Sequence, residues 1–205
     1  MNPTITTLPR PTRSRLVLAA LAMAVGLLAV APAGSQAAKA DFGADLSSPV
    51  TPVAAPEPCA AMPGAPCTRV PVYYDSPPHA GMVPFAPETG TIKRISVVAA
   101  NPGSVKIQLA KVKGTDPLTA QAKITRQGPK LSYQGLGTVE TFKVHIPVKQ
   151  GEWLAFKSKY ADTLSCGSGF DNEAQFQPTL PVGGPFTAST GAADCTHLIG
   201  ARMKY

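Results

Sequence analysis

The chain lacks most of what would mark a familiar kind of enzyme. Beyond the N-terminus no stretch repeats apolar residues at helical spacing, which argues against a helical bundle or an alternating α/β fold. Paired CxxC spacing is absent, so a structural zinc site has no sequence basis. Gly-x-Ser-x-Gly does not occur. Gly167-Ser168-Gly169 has neither that spacing nor the strand-to-helix setting that exposes a nucleophilic serine. No loop follows the EF-hand pattern. Charge is scarce, at 15% of residues, and there is one Trp among 205 residues. No second long apolar run follows the first.

What is present begins with that first run. Arg10, Arg13 and Arg15 precede an uncharged stretch, Leu16–Ala31, and Gly34–Ala40 ends in small residues. This is the layout of a secretory signal peptide with an expected cut after Ala40; a cut after Ala37 is the alternative. The apolar run is shorter than the roughly 20 residues of a spanning helix. No Cys follows it closely, so lipid attachment there is not expected. The expectation is a signal-peptide helix over residues 1–40 and a secreted, extracellular product, 41–205, with no membrane association after cleavage. The segment 1–40 holds four of the nineteen bases and none of the twelve acids, so the remainder carries only +3. That modest charge gives no reason to expect nucleic acid as a partner.

The 165 residues left suit one domain. Four cysteines, Cys59, Cys67, Cys166 and Cys195, read as disulfides in an exported chain. Three pairings exist. Cys59–Cys67 with Cys166–Cys195 is favoured, because each bridge then staples a Gly- or Pro-rich loop. Residues 41–90 hold eleven prolines, which exclude helix and central strands. They read as a stapled surface excursion, with Phe42 and Leu46 in a first strand and Val70–Tyr74 in a second.

From residue 90 onward short strands alternate with turn signals. Thr91–Ala100 ends at Asn101-Pro102-Gly103. Val105, Ile107 and Leu109 alternate with Lys106 and Gln108, as in a half-buried strand. Leu118–Arg126 is a weaker strand, and Gly128-Pro129 punctuates the chain after it. Phe142, Val144, Ile146 and Val148 alternate with Lys143, His145, Pro147 and Lys149. A turn at Lys149–Glu152 then leads into Trp153–Lys157. Pro147 places its strand at an edge or a bulge. Residues 161–195 read as a long loop, and His197–Tyr205 as the closing strand. The expected architecture is all-β, a single antiparallel β-sandwich of jelly-roll type.

The stretch Ile146-Pro-Val-Lys-Gln-Gly-Glu-Trp-Leu-Ala-Phe156 resembles the V-x-x-G-[DE]-x-L-[GA]-[FL] hairpin of secreted bacterial jelly-roll-like domains. Phe42-Gly43 and the closing strand Leu198–Lys204 are similar to that group too. The likeness touches about a fifth of the secreted portion. It implies the sandwich and supplies no catalytic residue.

Candidate chemistry is thin. His79 falls in a loop, His145 on a wet strand face, and His197 beside Cys195. A Ser-His-Asp site could be assembled only in space, from His197, Asp194 and a loop serine. Asp162, Asp171, Asn172 and Glu173 could serve as an acid/base pair or as calcium ligands; a solvated loop accounts for them more simply. No catalytic residue, metal ligand or cofactor is assigned. Trp153 has the parity opposite to Leu154 and Phe156 and is expected to face outward, with Tyr73 or Tyr74 assisting. Such aromatics stack on sugar rings. The reading is a non-catalytic binding module for an extracellular glycan or a cell-envelope component. A small hydrolase using the 161–197 loop is the rival. Oligomeric state has no signature in the sequence.

Overall fold

The computed structural model describes residues 37–46, 53–54, 65–72, 83–158 and 164–205, and the side chains of all of these except 53–54, 167–172 and 194–196. The expected signal helix and Tyr73 and Tyr74 lie outside the described residues. Among those described there are twelve strands and no helix: β1 Lys39–Gly43, β2 Val53–Ala54, β3 Cys67–Pro71, β4 Gly90–Val98, β5 Gly103–Lys113, β6 Gln121–Tyr133, β7 Val139–Val148, β8 Trp153–Ser158, β9 Ser165–Phe176, β10 Thr187–Ala188, β11 Gly191–His197 and β12 Ile199–Lys204.

They form two antiparallel sheets in a sandwich-like arrangement. The smaller has the order β1-β12-β4-β7; the larger runs β10-β6-β5-β8-β3-β9-β11, with β2 added against β9. The chain moves repeatedly between the sheets, because alternate residues of each strand must bury one face. Ile92, Ile95, Val97, Ile146, Val148, Ile199 and Met203 from the smaller sheet meet Val105, Ile107, Leu109, Leu154 and Phe156 from the larger in one core. The expected parity holds along β7: Ile146 and Val148 are buried, Lys143, His145 and Pro147 exposed. Pro147 sits on an edge strand, where its missing N–H removes no ladder bond toward a further strand.

The larger sheet buries its outer face as well. Val70, Ala110, Ala122, Ile124, Ala155, Ala174 and Phe176 form a second apolar cluster there. Leu180 lies on it, its N–H donating to Thr68 Oγ1 at 3.1 Å. Gly183 N–H donates to Ile124 O at 2.8 Å, holding the 177–186 segment across the sheet. Gln108, expected to face water, is consequently buried, with Thr68 Oγ1 donating to its Oε1 at 3.2 Å.

Three expectations change. Residues 161–195 are not a loop throughout: β9 and β11 pair over most of their length. The period was hidden because the buried positions of β9 include Glu173 and Gln175, and β9 and β11 are out of step across a register shift between Ala193 and Cys195. Gly128-Pro129 does not end a strand, since β6 continues to Tyr133. A Cβ on Gly128 would stand 2.9 Å from Ile146 Cδ1 and 3.2 Å from Ile107 Cβ, so glycine there serves close packing and not a turn. Finally, β1 starts at Lys39, pairing Lys39 with Lys204 and Ala40 with Met203, upstream of Asp41.

Candidate functional site

The only ion cluster sealed in the interior, among the described residues, joins three neighbouring strands of the larger sheet. β3 supplies Arg69, β9 Glu173 and β11 His197, whose side chains are 1%, 0% and 0% exposed. Arg69 Nη1 donates to Glu173 Oε1 at 3.0 Å, and His197 Nδ1 donates to Oε2 at 2.9 Å. Phe156 stands edge-on to the His197 ring, 5.1 Å between centroids. Burial raises the pKa of the Glu173 carboxyl. The charges and hydrogen bonds of His197 and Arg69 more than offset this, and the net pKa lies below the ordinary carboxyl value. Glu173 is therefore an anion clamped by two donors, out of reach of any substrate.

This geometry disposes of several candidates. Glu173 has both oxygens engaged by Arg69 and His197, which leaves neither for calcium or for acid/base work. His197 is held by Glu173 and enclosed, so it does not serve an outward-facing serine. Ser165 is fully buried. The side chains of Asp171, Asn172, Asp194 and Ser168 are not described, and Asp162 and His79 lie outside the described residues. No group of three His, Cys, Asp or Glu side chains that could hold a metal occurs among those described. His145 is exposed and shares a 3.0 Å hydrogen bond with Lys93 Nζ.

Trp153 does lie on the face opposite Leu154 and Phe156. That face carries the second apolar cluster, so Trp153 is half-buried against it, 5.4 Å from the Phe85 ring centroid. It offers less of a stacking platform than its parity suggested. Cys67 and Cys166 are buried and disulfide-bonded.

An open feature of the larger sheet, among the described residues, is a cleft of about 500 Å³ on its outer face, lined by Ser104, Lys106, Gln127, Lys130, Lys157 and Ser158 among others. Lys106 is the direct cross-strand partner of both Lys130 on β6 and Lys157 on β8. Sequence reasoning missed this row. Each lysine looks like an ordinary wet residue in its own strand, and only strand pairing brings the three together. Arg69 was missed too: all five residues of Cys-Thr-Arg-Val-Pro are buried in the structure, where an Arg requires a partner, but nothing local in the sequence announces that burial. No family model, curated protein or solved structure matches the chain.

Proposed function

We propose that the chain is an exported, non-catalytic jelly-roll module that binds an extracellular glycan or another component of the cell envelope. The observation that carries this reading is the open cleft across β5, β6 and β8, set on a sheet whose other ionisable cluster is sealed from solvent. Strand order supports the jelly roll: β1-β12-β4-β7 faces β6-β5-β8-β3, the two four-stranded layers of a wound hairpin, with β9 and β11 appended beside β3. Lectin domains use this architecture, but the cleft and not the fold argues for binding. A glycan array probed with the purified protein should show retention of a restricted set of saccharides. Turnover of an arrayed glycan, with no retention, would replace this reading with the hydrolase.

We keep the pairing Cys59–Cys67 and Cys166–Cys195. His197 pairs with Cys166 and Cys195 with Ser168, so Cys166 and Cys195 are diagonal neighbours on adjacent strands.

Export also follows from the N-terminus, and strand pairing favours the earlier cut. Tyr205 N–H donates to Ala38 O at 3.1 Å, and Lys39 and Ala40 pair with β12. Cleavage after Ala37 keeps these contacts; cleavage after Ala40 removes them. N-terminal sequencing of protein from the culture medium is expected to begin at Ala38. A start at Asp41 would show that the enzyme reads the Ala38–Ala40 pair regardless of the strand.

A further inference from the structure

We propose that the cleft on the outer face of the larger sheet selects acidic glycans, polysaccharides bearing regularly spaced carboxylate or phosphate groups. The inference deepens the binding-module reading and depends on it. Strands β5, β6 and β8 are adjacent and together carry six lysines, one arginine and no Asp or Glu. The modest charge of the whole secreted portion conceals this concentration. Lys130, Lys106 and Lys157 stand opposite one another on three successive strands. Adjacent strands are about 4.8 Å apart, so the row presents three ammonium groups across about 10 Å, the scale of successive sugar residues.

Like charges placed directly opposite in a sheet are destabilising. Among the described residues no Asp or Glu lines the cleft, and none of the three lysines forms an ion pair. Such an arrangement is relieved by an anion seated across the row. The neutral groups beside it, Ser104 and Gln127, can exchange hydrogen bonds with sugar hydroxyls. Among the described residues the lining holds no aromatic ring on which a nucleobase could stack and no arginine fork for bidentate phosphate contacts, which favours a sugar acid over a nucleic acid. Lysine, a hydrated point charge on a flexible stem, suits anionic groups at slightly variable positions.

The test is titration calorimetry of the purified protein with polygalacturonate, with the same polymer fully methyl-esterified, with a phosphomannan and with duplex DNA. Binding of either acidic glycan polymer, weakening as salt rises, is expected, with little for the ester; preference between the two identifies carboxylate or phosphate as the anion. Lys106→Gln/Lys130→Gln/Lys157→Gln should weaken it about tenfold or more. Its thermal midpoint should stay level or rise, because mutual repulsion is removed. Lys93→Gln/Lys143→Gln/Lys204→Gln, the same charge change on the smaller sheet, should bind as the parent does. Equal loss in that control, or DNA bound as tightly as the sugar polymers, would reduce the effect to general charge attraction and overturn the proposal. Equal binding of acid and ester would overturn the acidic preference while leaving the binding module standing. Retention of no saccharide here or on the array would remove both.

Discussion

Glu173→Gln is expected to destabilise the domain by about 3–5 kcal/mol, although it changes one atom of a side chain that touches no solvent. The reason is asymmetry. Arg69 and His197 are buried with Glu173, and neutralising the carboxylate removes the Glu173 charge that faces the buried Arg69 cation. Urea unfolding should show the loss as a lower midpoint at unchanged slope. The combined variant Arg69→Met/Glu173→Leu/His197→Phe should cost much less than Glu173→Gln alone, since it removes charges and partners together. A single variant that unfolds no earlier than the parent would mean that the cluster contributes nothing. The depressed carboxyl pKa adds a pH dependence. A group held below its unfolded value contributes stability that is complete above the ordinary carboxyl range. That contribution is lost as the pH falls through the folded value. Acid titration of the parent should therefore show this part of its stability disappearing only below pH 4.5, and the Glu173→Gln variant should lack that component.

Phe156→Ala is expected to cost about 3–5 kcal/mol, the loss of a fully buried ring plus the cavity it leaves. Phe156 packs in the core between the sheets and also meets the His197 ring edge-on, so its removal loosens the ion cluster from the apolar side. Trp153→Ala, three residues earlier on the same strand, should cost less, because the indole is only half-buried against Phe85 and the outer cluster. The comparison, read from chemical-denaturation midpoints, separates the two faces of the larger sheet. Equal costs would show the outer cluster to be as tightly packed as the inner one.

The parts legible from sequence are those where a strand has one dry face. Along β7 each second residue declares its side, and Pro147 declares the edge. Along β12 the apolar positions Ile199, Ala201 and Met203 do the same, whereas on β4 a register shift between Ile92 and Arg94 brings Ile92 and Ile95, three residues apart, into one core. Legibility fails where the alternation is broken by polar burial. β9 reads as a loop because Glu173 and Gln175 stand where apolar residues would be expected. Gln108 reads as wet because nothing local announces that the 177–186 segment will cover it.

Composition and periodicity by themselves determined that the described residues are built of strands, and which residues of most strands share a face, because side-chain alternation is a property of each strand taken alone. They also determined the grounds for expecting export, since a signal peptide is read as a linear sequence. Tertiary structure alone decided that Arg69 meets Glu173 across 104 positions of chain, and that three separate lysines form one row. Such meetings depend on which strands become neighbours and in what register. That is governed by the joint burial of both sheets' apolar faces and not by any segment's own pattern.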